Sequence, residues 1–264
     1  MRRHFSIPCA GEYLVGTIDA ATGSVGLLIV SGGNEVRSGA FSGQAKLARA
    51  ISQAGYPVLR FDRRGVGDSS GENRGFRDSA TDILAARDAL REAFPGIKRI
   101  VAYGNCDAAS ALMLAGGIQA DALVLANPWT FDEESQDGHS PASIRSRYAA
   151  KLAKPGEILR LLKGEVDLRK LAKGLARAAG TEESPARLLT ELRRGVEDFH
   201  GKSLFLVSGR DRTGQAFARG WGDDPRIRQC EAADHGFSDA ESFAWLQQQL
   251  LAVLEEQACQ LDMR

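Results

Sequence analysis

The feature that most constrains this chain is an alternation of short apolar runs with longer amphipathic stretches. Val25–Val30, Pro57–Asp62, Arg99–Tyr103, Ala122–Ala126 and Ser203–Val207 are rich in Val, Leu, Ile and Ala, and each leads into turn-forming or polar residues. Runs this short read as buried strands rather than helices. Between them, Gln44–Ala54 reads as a helix stopped by Gly55. Ser79–Phe94 reads as a helix capped by Asp78 or Ser79 and closed by Pro95-Gly96. Strands that alternate with helices bury both faces of a sheet. The pattern therefore predicts an α/β fold with a mostly parallel central sheet flanked by helices. Phe5–Ile7 and Glu12–Ile18 are expected as an antiparallel starting pair, Ile227–Glu231 as the last strand and Ser238–Gln257 as a closing helix.

The alternation stops between Trp129 and His200, where the sequence turns helical and basic. Pro141–Arg194 holds thirteen Lys and Arg against six Asp and Glu. Ile158, Leu161 and Leu162, then Leu168, Leu171, Ala172 and Leu175, recur at helical spacing. This organisation predicts a core domain made of 1–128 and 200–264, with 129–199 inserted as a helical cap. Three readings of the basic cap stand open: a solvated face over an apolar stripe, attraction of an acidic substrate or partner, and peripheral contact with an anionic membrane surface.

The chain as a whole is neutral, with 34 basic and 34 acidic side chains, so no global field points to nucleic acid. No apolar stretch approaches the roughly 18 residues that a membrane span needs. Pro8, Gly11 and Glu12 interrupt the start before a secretory core can form. Cys9, Cys106, Cys230 and Cys259 are widely spaced and form no disulfide framework or zinc site. A reducing, cytoplasmic setting is expected, with no metal and no cofactor. A nicotinamide enzyme fits poorly, because Gly65-Val66-Gly67 lacks the spaced third glycine.

The chemistry concentrates at Gly104-Asn105-Cys106-Asp107-Ala108, between a buried strand and a helix of small residues running through Ala115. A sharp strand-to-helix turn of this kind holds a nucleophile in strained backbone, and only small neighbours fit around it. Gly104, Ala108 and Ala109 meet that need. The partial positive charge of the helix start lies beside the Cys106 sulfur and favours its anionic form.

At these residues the chain resembles the α/β-hydrolase superfamily, with the nucleophile elbow G-x-S-x-G carrying cysteine for serine and Ala108 for the second glycine. Ser31-Gly32-Gly33-Asn34 stands where the superfamily has His-Gly. Phe61–Ser69 looks like its D-x-R-G-x-G-x-S loop, and Asp234-His235-Gly236 occupies the catalytic histidine position. Gly104–Ser110, Gly32-Gly33 with Arg37, and Arg147-Tyr148 with Lys151-Leu152 resemble, more narrowly, the exosortase A system-associated hydrolase 1 family.

The resemblance implies Cys106 as nucleophile, His235 as base and Asp211 as the carboxylate that orients it. The oxyanion donors would be the N–H of Asp107 and that of Gly33 or Asn34. The implied activity is hydrolysis of a small-molecule carboxylic ester or thioester through an acyl-cysteine. Acyl transfer through the same intermediate, and a non-catalytic binding protein on the same fold, are the alternatives. Some assignments stay open. Cys106 alone could be a small buried hydrophobe. Asp223, Asp224 and Asp234 are near enough to rival Asp211. The Asp107 side chain serves either substrate or the helix dipole, and Arg37 either an anionic substrate group or the surface.

Overall fold

The computed structural model describes residues 1–131 and 187–263. The chain divides into two compact units, Met1–Thr130 with Glu191–Arg264, and Phe131–Thr190. The expected cap residues Ile158 to Leu175 and Arg147 to Leu152 lie outside the described residues.

The first unit is built on an eight-stranded sheet. β1 (Arg2–Cys9) and β2 (Glu12–Asp19) form an antiparallel hairpin, and β2 runs antiparallel to β4 (Val58–Phe61). From β4 onward the neighbours are parallel: β3 (Val25–Val30), β5 (Arg99–Asn105), β6 (Ala122–Ala126), β7 (Lys202–Ser208) and β8 (Ile227–Cys230), in the order β1-β2-β4-β3-β5-β6-β7-β8. Every residue of β3 and β6 is buried, as a strand covered on both faces requires.

Side-chain alternation divides the core between the two faces. Val25, Leu27 and Ile29 of β3 join Val101 and Tyr103 of β5 in one cluster. It also holds Leu47 and Ile51 of α1 (Gly43–Gln53) and Leu246, Leu250 and Val253 of the closing helix (Ala240–Asp262). On the opposite face lie α2 (Ala80–Ala93) and α3 (Asp107–Leu114). Gly26 of β3 faces α2 so closely that a Cβ there would come 2.7 Å from Ile97 and 3.2 Å from Leu90.

Two further helices complete the described residues, α4 (Arg187–Glu197) and α5 (Arg212–Trp221); the closing helix is α6. No apolar pattern announces α5, because Gly214 and Gly220 interrupt it. Tertiary contacts hold it instead. Phe217 and Trp221, one turn apart, meet Phe205 of β7 with ring centroids 5.2 and 5.0 Å away. The Arg193 guanidinium stacks 4.6 Å over the Trp221 ring. No helix among the described residues is long and apolar enough to cross a membrane.

Val30 pairs with Gly104, Asn105 with Ala126, Ala126 with Leu206, and Ser208 with Cys230. The carboxyl ends of these parallel strands therefore form one rim. The chain leaves β3 toward β4 and later returns to the other side of β3 as β5. Such a reversal opens a crevice outside the strand ends, where ligands of open α/β sheets bind.

Candidate active site

Cys106 sits at that crevice, one residue beyond β5, with φ 62° and ψ −128°. A non-glycine residue in this region costs about 1–3 kcal/mol and needs a surrounding framework to hold it. Cys106 N–H donates to Ala126 O at 2.9 Å, while its carbonyl accepts from Ala109 N at 3.1 Å and Ser110 N at 3.3 Å. A Cβ on Gly104 would meet Ala108 C at 2.7 Å, so glycine is required for α3 to begin this close to β5.

Asp211 follows β7 and caps α5, its carboxylate accepting from Gly214 N at 2.9 Å. His235 follows β8 in the loop before α6. Its Nδ1 lies 2.9 Å from Asp211 Oδ2, and the Cys106 side chain is a second influence on the ring. The three sequence-predicted residues thus meet, although each arrives from a different strand end.

Their electrostatics follow from this contact. The hydrogen bond with Asp211, then that with Cys106, raises His235 to about 10 against an opposing effect of burial. Burial works to raise Asp211, but the bond from His235 and the backbone N–H groups of Gly214 and Thr213 outweigh it and hold the carboxyl below its ordinary value. Two of the three rival acids are engaged elsewhere. Asp224 accepts from Trp221 Nε1 at 2.9 Å and pairs with Arg226, and Asp234 accepts from Ser238 N at 2.9 Å.

Two residues that sequence reasoning did not select hold the histidine loop. Asn105 Nδ2 donates to His235 O at 2.9 Å. Asn127 is fully buried with φ 43°; its Nδ2 donates to Ser208 Oγ at 3.0 Å and Asn105 Oδ1 at 3.1 Å, with a longer reach of 3.4 Å to His235 O. Its Oδ1 accepts from Ser208 N at 2.8 Å. The one sequence signal was an Asn-Pro pair directly after a strand, which by itself reads as a turn.

On the other side of Cys106 stands the Gly32-Gly33 loop. A Cβ on Gly32 would lie 2.7 Å from Asn105 O and 2.8 Å from Asp107 Oδ1, so the absence of a side chain lets this loop touch the nucleophile turn. Gly33 N–H donates to Asp107 Oδ1 at 2.5 Å. Asp107 Oδ2 is 3.6 Å from Arg63 Nη2, and that guanidinium donates to Gly33 O and, at 2.9 Å, to Ser79 Oγ. The Asp107 side chain is therefore tied to the loop, beyond any part it plays in the helix dipole. Its backbone N–H opens α3, in the first turn where helices leave donors without an intrahelical acceptor. Asn34 turns its side chain to Asn73, accepting at 2.7 Å.

A cavity of about 700 Å³ opens over Cys106 and His235, within the size range of small-molecule sites. Gly33, Lys46, Phe41, Phe237 and Phe243 contribute to its wall. Phe41 is 85% exposed and has φ 52°. The acidic lining residues serve the backbone: Glu35 accepts from Ala40 N at 2.5 Å, and Asp239 caps α6 through Ser242 N at 2.9 Å.

Arg37, expected as a contact for an anionic substrate group, is not among the residues lining this cavity. Its guanidinium pairs with the fully buried Asp62, lies 3.0 Å from Asp68, and donates to Thr17 Oγ1 at 3.0 Å. A buried carboxylate needs a cation, and Asp62 takes this one. The Asp62–Ser69 loop is a structural knot, with Ser69 Oγ donating to Asp62 O at 2.7 Å.

A strained residue after the central parallel strand, an acid after β7 and a histidine after β8 are the arrangement of an α/β hydrolase. The chain belongs to the alpha/beta hydrolase family, whose profile matches residues 27–252. Solved structures share the fold. An esterase from Pyrococcus furiosus aligns with a TM-score of 0.64 at 16% identity, covering 97% of this chain and 90% of its own. The thioesterase domain of the curacin biosynthetic pathway aligns with a TM-score of 0.56 at 12% identity, covering 96% and 99%. An α/β serine hydrolase from Xanthomonas campestris, described as lacking a lid, aligns at 0.57 and 14% identity, covering 97% and 94%. No curated protein matches the chain in sequence.

Proposed function

We propose that this chain hydrolyses a carboxylic ester or thioester through a Cys106–His235–Asp211 triad and a covalent acyl-cysteine, in the reducing cytoplasm, with 129–199 as an inserted helical cap. The observation that carries this reading is the imidazole of His235, with Nδ1 2.9 Å from Asp211 Oδ2, lining one cavity together with Cys106. The raised His235 favours a resting imidazolium held between the two partners. The sulfur attacks the acyl carbon, the carbonyl π pair moves to oxygen, and the Asp107 N–H with a donor from the Gly33 loop receives it. Collapse expels the alcohol or thiol, which takes its proton from His235. Water, deprotonated by His235, then releases the acid and restores the thiol. The narrower likeness to the exosortase A system-associated hydrolase 1 family belongs to the same proposal and specifies no acyl group.

Intact-protein mass spectrometry after brief exposure to activated esters and acyl thioesters tests it. The wild type is expected to gain one acyl mass and Cys106→Ala none. An adduct that persists in Cys106→Ala, or its absence from folded wild type across the panel, would sink the reading. Faster loss of the adduct to an added amine or thiol than to water would convert hydrolysis into acyl transfer.

A further inference from the structure

The Asp107 carboxylate occupies a position that the acyl-cysteine reading leaves without a purpose. Gly33 N–H is a donor the tetrahedral oxygen needs, and Gly33 lines the cavity beside Cys106. Yet that N–H already donates to Asp107 Oδ1 at 2.5 Å, a short bond to a charged acceptor. An oxyanion arriving at the same donor would also meet a second negative charge. The other carboxylate oxygen stands 3.6 Å from the Arg63 guanidinium, inside ion-pair range and beyond hydrogen-bond range. Arg63 is buried and anchored to Ser79 Oγ and Gly33 O, so it is a fixed receiver. A displacement of under about 1 Å would close that gap to a direct bond.

We propose that Asp107 is a positioning residue that blocks the oxyanion donor at rest and surrenders it during the reaction. In the resting enzyme its carboxylate stands in for the oxyanion on Gly33 N–H. When a substrate carbonyl enters, the carboxylate moves onto Arg63 and the N–H passes to the substrate oxygen. The inference rests on the acyl-cysteine reading and deepens it. Poorly fitting esters, which bring too little binding energy to shift the carboxylate, react slowly.

The test compares single-turnover acylation of Cys106 by p-nitrophenyl acetate in the wild type, Asp107→Asn and Asp107→Ala. The S–C bond forms, the C–O bond breaks, p-nitrophenolate leaves and the thiol proton resides on His235. Alkylation by iodoacetamide, in which sulfur displaces iodide with no oxyanion, is measured beside it. The ratio of the two rates removes any change in the thiol itself. Asparagine keeps an acceptor on Gly33 N–H but makes it neutral, so the ratio is expected to rise about tenfold, with the gain in the limiting acylation rate and the half-saturating ester concentration unmoved. Alanine frees the donor but also loosens the loop, so asparagine is the deciding variant. A ratio equal to or below the wild type in folded Asp107→Asn would show the carboxylate to be a plain anchor and overturn the inference alone. No Cys106 acylation in any of the three proteins, with alkylation intact, would overturn it together with the acyl-cysteine reading.

Discussion

The two flanks of Cys106 are built on opposite plans. On the histidine flank the polar groups converge on the reacting ring: Asp211 holds Nδ1, while Asn105 and Asn127 hold the backbone carbonyl. On the Gly33 flank the backbone N–H is satisfied internally, by the carboxylate of Asp107, one residue from Cys106. One side is assembled before substrate arrives, and its acid is only 10% exposed. The other, on the proposal above, would exchange partners. If His235 is the base and Asp107 yields as proposed, selectivity would reside in the Gly33 loop, where substrate binding would change the protein's own hydrogen bonds.

The widest breach of this contrast is Asp211→Asn. The mutation removes the first cause of the raised His235, whose titration midpoint is expected to fall from about 10 toward the ordinary 6.5. A drop in kcat on the order of 10²–10⁴ accompanies it, by the general logic of an orienting carboxylate. The linkage has a definite sign. A group raised on folding contributes stability that is complete below its unfolded value of about 6.5 and disappears as pH rises through its folded value. The melting temperature of the wild type should therefore exceed that of Asp211→Asn most at pH 6, and the gap should close approaching pH 10.5. Imidazole proton shifts followed by NMR give the midpoint directly. A midpoint unchanged in Asp211→Asn would break the claim that this flank is charge-assembled.

A smaller effect is expected from Asn127→Ala. Removing a fully buried amide leaves Ser208 N–H without its acceptor, at a cost of about 1–3 kcal/mol. With part of the support for the His235 loop gone, kcat should fall about tenfold while KM stays, since displacement of the base costs rate rather than binding. Asn127→Asp keeps the acceptor for Ser208 and loses the donor toward Asn105 and His235. Urea melts and steady-state kinetics on the two variants separate the stabilising half of this residue from the positioning half. Equal kcat in wild type and Asn127→Asp would remove Asn127 from the site.

What could be read in the sequence follows a physical divide. β3 and β6 were legible to the residue, because an unbroken apolar run between turn residues has one stable use in a two-sided sheet. The β1–β2 pair proved longer than its apolar centre, since alternating polar residues continue the ladder to Arg2 and Cys9. α5 was illegible: two glycines weaken it locally, and its stability comes from Phe205, which is distant in sequence. At the site, Cys106, Asp211 and His235 were visible because each directly follows a strand and carries a reactive side chain. Asn105 and Asn127 act through hydrogen bonds to His235 O across 130 and 108 positions, and no local pattern encodes such a partner. Arg37 shows the same limit: four residues from Gly33 in sequence, it pairs with Asp62, which no local pattern announces.

Arg37→Met gives the smallest expected change in catalysis and sharpens the comparison for that reason. The side chain is 18% exposed and its partner Asp62 is not exposed at all, so the variant leaves a buried carboxylate without its cation. The expected loss is about 3 kcal/mol of folding stability, discounted from a fully buried pair because one partner reaches solvent. The ratio of kcat/KM for an acyl thioester bearing a terminal carboxylate to that for its neutral methyl ester should not move, because Arg37 does not line the cavity. A fall in that ratio, with the neutral substrate unaffected, would return Arg37 to the substrate and make the oxyanion flank a charge-reading surface. A lower melting temperature with the ratio unchanged would leave it where Asp62 holds it, as a brace beneath the loop whose donor Asp107 controls.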